Sequence, residues 1–201
     1  MEIIPTIFEK EIDQVEKRIA ALKDLSHWFQ VDVSDGSLTK GKSFSLELLP
    51  KLDQNLNLNK NLFDIHLMVK EPLKWIKKCL SVQASRIYGQ VEMMSDRCQF
   101  VTEAKNNGLE VGLAFDLNTP IDSDIPPETD IILLMGRNMG FDSSPFDFSV
   151  FPKIDFIKER GFKIAVDGGV TPQLLSNLQK HGVDIVYSGQ YFLNLINEKI
   201  F

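Results

Sequence analysis

Three polar residues lie within or just after apolar runs, where their side chains could carry out acid–base or metal chemistry. In the run Phe29–Ser34 the odd positions are apolar and the even positions are polar, and Phe63–Met68 repeats this split. Alternation with a period of two is typical of a strand with two different faces, so Asp32 and His66 are predicted to point inward. Asp167 ends a third apolar run. Each residue alone is more often structural, but two carboxylates and an imidazole together predict a site.

Two glycine-containing turns suggest that the same end of the molecule binds an anion. The segment Asp167-Gly168-Gly169 precedes one predicted helix, and Ser188-Gly189-Gln190 precedes the next. Glycine lets backbone N–H groups approach a bound anion, and helix N-termini favour negative charge. Either turn alone is a weak signal. Together, after the last two of eight predicted strands, they match the usual position of a phosphate site in eight-stranded barrels.

Short apolar runs alternate with helical patterns along the whole chain. Such alternation indicates a parallel sheet, either open or closed. Eight units favour an α/β fold with a single (β/α)₈ TIM barrel, although the length is near the lower limit for that fold. An open doubly wound sheet is the alternative, but no Gly-x-Gly-x-x-Gly motif follows the first strand. The predicted strands are Ile3–Ile4, Trp28–Val33, Phe63–Met68, Arg86–Val91, Val111–Phe115, Ile131–Met135, Lys163–Val166 and Asp184–Tyr187.

The spacing of apolar residues predicts helices between these strands. The first covers residues 12–22, and a later one ends at Gly108, because glycine is common just after a helix. The long connection after the second strand is predicted to contain a helix near Leu46–Leu52. Before the last strand, Thr171 can cap a helix that has Pro172 at its first position.

The composition is that of an ordinary folded protein. With 201 residues and 43% hydrophobic content, the chain can bury a core without disulfides or metals, and we predict a single domain over residues 1–201. A net charge of -6 argues against nucleic acid or an anionic membrane as a partner. Cys79 and Cys98 are interpreted as reduced, partly buried thiols. Neither a signal peptide nor a membrane-spanning run is predicted, so we expect a cytoplasmic protein.

The order of the motifs resembles the ribulose-phosphate 3-epimerase family, and the resemblance covers nearly the whole chain. It implies a (β/α)₈ barrel that inverts carbon 3 of ribulose 5-phosphate to give xylulose 5-phosphate, usually with a bound divalent metal. The segments that carry it are Val31-Asp32-Val33-Ser34-Asp35-Gly36, His66-Leu67-Met68-Val69 with Pro72, Asn138-Met139-Gly140-Phe141, Val166-Asp167-Gly168-Gly169-Val170, and Ser188-Gly189.

The resemblance also implies roles for individual residues. Asp32 and Asp167 would be the acid/base pair, one on each face of a planar enediolate. The metal ligands would be Asp32, His66 and Asp167, with Gln30 standing where the family has a second histidine. The cofactor would be a divalent metal of the Mn, Mg, Fe or Zn class, weakly bound or absent, because an amide oxygen lacks the affinity of imidazole for zinc or iron. The expected substrate-binding and phosphate-binding residues are Thr6, Met68, Met135, Gly140, Gly168, Gly169, Ser188, Gly189 and Gln190.

Other departures from the family pattern affect the surroundings of the site. Ser34 replaces a methionine, and Gln90 replaces a histidine at the end of a strand. The Gly-Gly-Gln of the phosphate-gripping loop appears here as Asp142-Ser143-Ser144. An aspartate in that place would repel a phosphate. Arg137 either compensates for this charge or is simply solvated.

The leading prediction is therefore an epimerase acting on a small phosphorylated sugar. One alternative is a non-catalytic, phosphosugar-binding barrel that has lost its metal site. Another is an enzyme that uses a different enediolate reaction on another sugar phosphate. Retention of both aspartates favours an enzyme, whereas the missing histidine and the altered loop favour a binding protein. The sequence leaves the oligomeric state open, with a homo-oligomer as one option.

Overall fold

The computed structural model describes residues 1–56, 62–121, 124–141 and 143–199. Within them, nine strands alternate with helices. The strands are β1 (Glu2–Ile4), β2 (Thr6–Ile7), β3 (Trp28–Ser34), β4 (Leu62–Met68), β5 (Arg86–Gln90), β6 (Glu110–Phe115), β7 (Ile131–Met135), β8 (Lys163–Asp167) and β9 (Ile185–Tyr187). The helices are α1 (Ile12–Leu22), α2 (Leu49–Leu56), α3 (Ile76–Ser81), α4 (Arg97–Asn106), α5 (Phe151–Lys158), α6 (Leu175–His181) and α7 (Gly189–Lys199). Short 3₁₀ turns cover Leu46–Leu48, Pro72–Trp75, Val91–Met93, Phe148–Val150 and Pro172–Leu174.

All strand pairs are parallel, and the strands form one nearly closed barrel, as predicted. The order is β1-β9-β8-β7-β6-β5-β4-β3-β2, so the two ends of the sheet are consecutive pieces of chain. Eight strands were expected, but Pro5 divides the first into β1 and β2. Proline has no N–H to donate to a ladder, yet its carbonyl still accepts from the N–H of Gln30 at 2.9 Å. Residues 2–7 therefore join β9 on one side to β3 on the other.

The period-two pattern of the strands separates two apolar clusters, as the sequence indicated. Phe29, Val31 and Val33 lie in the larger cluster, between the barrel and the surrounding helices. The smaller cluster fills the lumen with Ile4, Tyr88, Ala114, Ile131, Leu133, Ala165, Ile185 and Tyr187. Polar side chains on the inner face of β3 and β4 are therefore buried among apolar ones and need partners.

The predicted helices lie where the structure has helices, but their predicted ends and caps differ from the observed ones. Helix α1 matches the prediction, but α4 ends at Asn106, before Gly108 with its φ of +77°. Thr171 stands before the 3₁₀ turn, but its side chain makes no capping hydrogen bond. Helix α5 was not predicted, although Ile154 and Ile157 recur at helical spacing and are buried.

No helix among the described residues is long and apolar enough to cross a bilayer.

Both cysteines are free thiols, as predicted. Cys79 is fully buried on α3, where burial raises the pKa of its thiol to about 12. Cys98 is exposed, although it was expected to be partly buried, because it lies in the first turn of α4 on the side facing solvent.

An ion cluster closes the end of the lumen at which the strands begin. Asp64 accepts hydrogen bonds from Arg86 Nη1 at 2.9 Å, from the Tyr187 hydroxyl at 2.5 Å and from Trp28 Nε1 at 2.7 Å. Arg86 also donates to Glu110 at 2.6 Å. Burial raises the pKa of Asp64 to about 6, although Arg86, Tyr187 and Trp28 all act to lower it. We call these residues the lower ion cluster.

The lower ion cluster predicts a pH-dependent cost for Arg86→Met. Removing one partner of a buried pair costs about 3–5 kcal/mol. Because the folded pKa of Asp64 already exceeds its ordinary value of 3.8, the stability from this carboxyl is full below about pH 4 and is lost as the pH rises through the folded pKa. In the variant that pKa is higher still, so the extra loss grows above about pH 6.

Urea unfolding of Arg86→Met and of the wild type at pH 5 and pH 8 measures this effect. We expect a larger difference in unfolding free energy at pH 8. The double variant Asp64→Asn with Arg86→Met should remove the pH dependence that Asp64 contributes, since the remaining carboxyl of the cluster, Glu110, is 28% exposed and keeps access to water. An equal cost at both pH values would show that Asp64 carries no charge that Arg86 compensates.

Candidate active site

The carboxyl ends of β3, β4 and β8 bring three predicted site residues together. Asp32 lies opposite His66 in the register of β3 and β4, and Asp167 is the last residue of β8. One ligand atom from each of the three lies within 4.8 Å of the other two. All three residues are buried, at 4%, 0% and 6% exposure for Asp32, His66 and Asp167 respectively. The structure therefore forms the cluster of two carboxylates and an imidazole that the sequence suggested.

Both nitrogens of His66 face hydrogen-bond partners. Nε2 lies 2.9 Å from Oε1 of Gln90, and Nδ1 lies 3.0 Å from Oδ1 of Asp32. Nδ1 is also 3.9 Å from Oδ2 of Asp167. An amide oxygen only accepts, so Nε2 carries a proton and Nδ1 is the nitrogen directed at the carboxylates. Gln90, seen in the sequence only as a departure from the family, thus fixes the orientation of the imidazole.

The electrostatics of the cluster follow from burial and close charges. Burial lowers the pKa of His66, but the hydrogen bond to Asp32 and the charges of Asp32 and Asp167 outweigh it, so the pKa is raised. Burial also raises the pKa of Asp167 to about 7, with a further increase from the charge of Asp32, against the lowering effect of His66 and Arg137. A carboxyl that titrates near neutrality can both donate and accept a proton at physiological pH.

Gln30 lies two residues before Asp32 on the same face of β3. Its Oε1 accepts a short hydrogen bond from the hydroxyl of Thr6, its register partner on β2. Its Nε2 is buried without a hydrogen-bond partner among the described residues. The amide oxygen predicted as a metal ligand is therefore already engaged by Thr6.

Two adjoining cavities open above the cluster. The smaller, about 50 Å³, is lined by Asp32, His66, Asp167, Met68, Met135, Thr6, Phe8, Arg137, Asn138, Gly140 and Gly168, and we call it the acid chamber. The larger, about 430 Å³, shares Thr6, Phe8, Arg137, Gly140, Asp167 and Gly168 with it, and we call it the anion cavity. The anion cavity is also lined by Gly169, Ser188, Gly189 and Gln190. Every predicted site residue except Gln30 thus lines one of the two.

The glycines of the first turn are required by the backbone. Gly168 and Gly169 have φ angles of +96° and +70°, which side-chain-bearing residues rarely adopt. A Cβ at Gly169 would lie 2.6 Å from the backbone nitrogen of Phe146. The hydroxyl of Ser188 is committed within the protein, because it donates to the carbonyl of Val170 at 2.7 Å and accepts from the N–H of Tyr191. Ser188 can therefore contribute its backbone more readily than its side chain.

The mouth of the site contains residues that the sequence did not identify. Phe8 and Phe141 stack across it with ring centroids 3.9 Å apart. Arg18, on α1, lines the anion cavity together with Arg137. No periodicity shows which position of a helix reaches a cavity, so Arg18 had no signal in the sequence. Asp142, predicted to repel phosphate, lies outside the described residues.

Comparison with known proteins places the chain among the epimerases. The sequence model of the ribulose-phosphate 3 epimerase family matches residues 2–193. Proteins named ribulose-phosphate 3-epimerase are similar to it. The one from Treponema pallidum is 24% identical over 96% of this chain and 91% of its own length. Those from Synechocystis and Bacillus subtilis are 27% and 29% identical, covering 97% and 89% of this chain and 88% and 82% of their own lengths.

Solved structures resemble the chain in fold. Phosphoribosyl anthranilate isomerase from Thermus thermophilus aligns over 100% of both chains with a TM-score of 0.66 and 13% identity. A mutant tryptophan synthase alpha-subunit from Pyrococcus furiosus aligns over 98% of this chain and 91% of its own with a TM-score of 0.70 and 15% identity. These structural similarities support the barrel fold, whereas the family is shown by the sequence match. Because that match spans nearly all of a chain whose buried Asp–His–Asp cluster lies where the motifs indicated, the protein belongs to the ribulose-phosphate 3-epimerase family.

Proposed function

We propose that this protein epimerises a ketose phosphate, with ribulose 5-phosphate and xylulose 5-phosphate as its pair of substrates. The observation that carries the proposal is the junction of the acid chamber with the anion cavity. One holds two carboxylates and an imidazole, and the other is lined by glycine turns suited to a phosphate. A phosphorylated sugar placed across the junction would have its phosphate at the turns and its reacting carbon near the carboxylates.

Inversion at carbon 3 needs two proton-transfer groups. The proton there is acidic because the neighbouring carbonyl can become an enediolate, which is planar, so the proton must leave from one face and return on the other. Asp32 comes from β3 and Asp167 from β8, which are not neighbours in the sheet. The two carboxylates therefore approach the chamber from different walls. We assign Asp32 and Asp167 as the pair that removes and returns the proton.

The cluster also has the right donors for a divalent metal. Two carboxylates and one imidazole nitrogen are donors that a divalent metal of the Mn, Mg, Fe or Zn class accepts, and the proton on Nε2 directs Nδ1 of His66 toward the carboxylates. Asp32, His66 and Asp167 would hold the ion. When bound, it would stabilise the negative charge that develops on the substrate oxygens. Met68 and Met135 line the chamber and would lie beside the reacting carbon.

The phosphate would lie on backbone donors of the anion cavity. Gly168 and Gly169 supply the first turn, and Gly189 and Gln190 begin the eleven-residue helix α7. The positive end of that helix favours an anion. Thr6 and Gly140 border both cavities and would contact the sugar between phosphate and reacting carbon.

A phosphosugar-binding protein without catalysis is the second candidate. The observation that favours it is the hydrogen bond from Thr6 to the amide oxygen of Gln30, because an oxygen that already accepts a hydrogen bond is a weaker fourth ligand beside Asp32, His66 and Asp167. Such a protein would bind sugar phosphates through the same turns and would not exchange the carbon 3 proton. Proton exchange therefore separates the two candidates.

Metal content is expected to be low and to favour hard ions. With Asp32, Asp167 and one nitrogen of His66 as donors, oxygen ligands predominate, and such a set favours manganese or magnesium over zinc. Elemental analysis of the purified protein should show less than one equivalent of metal. One full equivalent of tightly bound zinc would contradict this prediction.

Replacing Gln30 by histidine should strengthen metal binding. Imidazole is a better zinc ligand than an amide oxygen, so Gln30→His should raise zinc affinity by about 10-fold or more. Competition with a coloured chelator measures the change. Gln179→His, which adds a histidine at an exposed position of α6, is the matched control and should leave the affinity unchanged. Equal affinity in both variants would place residue 30 away from the metal.

Asp32→Asn and Asp167→Asn should each abolish inversion while the fold is retained. Loss of one proton-transfer group should lower the rate at least ~10²-fold. In D₂O, either variant can still exchange the carbon 3 proton of one epimer, because one carboxylate remains on one face. NMR of the sugar follows exchange and inversion separately. Asp155→Asn, an exposed carboxyl on α5, is the control, and wild-type rates in both chamber variants would refute the assignment.

A further inference from the structure

We infer that Arg18 and Arg137 form a two-sided guanidinium clamp for the phosphate in the anion cavity. The inference rests on the proposed function, since it takes the phosphate of a sugar phosphate as the ligand. In the proposed function the glycine turns hold the phosphate through backbone donors. The clamp adds two arginine side chains, which would determine how tightly the phosphate is held.

The two arginines reach the cavity from different walls. Arg137 follows β7 by two residues, and Arg18 comes from the middle of α1. Both line the anion cavity, as do the glycine turns after β8 and β9. An anion resting on those turns would therefore have a guanidinium available from each wall.

The stem of Arg137 is fitted to the first glycine turn. A Cβ at Gly168 would lie 2.9 Å from Cγ of Arg137, so the glycine leaves the space that the stem occupies. Its Nη1 donates to the carbonyl of Ser144 at 3.3 Å, which ties the side chain to the connection after β7. Arg137 also borders the acid chamber. Arg137 thus borders both cavities, where a phosphate and the rest of the sugar would meet.

Arg18 is held beside a carboxylate while part of its side chain stays accessible. Its Nε is buried, has no hydrogen-bond acceptor among the described residues, and lies 3.6 Å from Oε1 of Glu9, within ion-pair distance. The side chain as a whole is 31% exposed and lines the anion cavity. A phosphate in the cavity would give Arg18 a second charge partner.

The shape and charge of a guanidinium group are well matched to a phosphate. Its planar fork presents parallel N–H groups that match two phosphate oxygens, and the hydrogen bonds are charge-assisted. The chain has a net charge of -6, so attraction of a dianion must come from local groups. Two guanidiniums would also discriminate against an unphosphorylated sugar, which has no charge for them to pair.

The test is a titration of inorganic phosphate into the wild type, Arg18→Ala and Arg137→Ala, followed by NMR. Each substitution should raise the dissociation constant for phosphate by about 10- to 100-fold. Arg18→Lys and Arg137→Lys should recover only part of the affinity, because ammonium lacks the planar fork. Arg160→Ala is the matched control. Arg160 lies beyond the end of α5 over the ring of Phe156, at the opposite end of the barrel, and its loss should change nothing.

The lysine variants keep the test decisive if an alanine variant unfolds, since they retain the stem and the charge. Unchanged phosphate affinity in folded Arg18 and Arg137 variants would overturn the clamp.

Kinetics with ribulose 5-phosphate then separate the clamp from the proposed epimerase function. Arg18→Ala should raise KM and leave kcat near the wild-type value. If the wild type binds phosphate through both arginines but epimerises nothing, the clamp stands and the proposed function fails. If it epimerises with a KM that neither arginine affects, the function stands and the clamp fails.

Discussion

A charge buried in the lumen of this barrel must be paired, and much of the structure follows from that constraint. The lumen is narrow and otherwise filled with apolar side chains, where an unpaired carboxylate is strongly destabilised. Two sets of ionisable groups lie in it. The lower ion cluster occupies the end where strands begin, and the Asp32–His66–Asp167 cluster occupies the end where they finish.

The two clusters satisfy the constraint in different ways. In the lower one, Asp64 receives three hydrogen bonds from Arg86, Tyr187 and Trp28, so its charge is compensated within the protein. In the upper one, two carboxylates share a single imidazole, and both cavities open beside them. The upper cluster has more negative charge than its own residues compensate. That difference is the reason we assign a structural role to one end of the barrel and propose cation binding and proton transfer for the other.

Two glutamines show how the chain adapts a family pattern. Gln90 accepts a hydrogen bond from Nε2–H of His66 and so keeps the imidazole oriented without a histidine in its place. Gln30 pairs with Thr6, which stabilises the junction between β2 and β3. Each has an amide nitrogen that is buried and without a partner among the described residues. The amides thus maintain the architecture around the cluster, and Gln30 does so at the position where the resemblance implies a second metal-binding histidine.

The amino-acid sequence alone was enough to predict a parallel sheet with a barrel favoured, the inward faces of its strands and the glycine turns. These features depend on local properties, namely the period of two in a strand and the conformations open to glycine. The alternation by itself treats Asp64 and Asp32 alike, and the motif around Asp32 singled that residue out. The contacts of Asp64 with Arg86, of His66 with Gln90 and of Arg18 with the anion cavity became visible in the folded chain. Such contacts join side chains far apart in the sequence, and no local pattern specifies which of them meet.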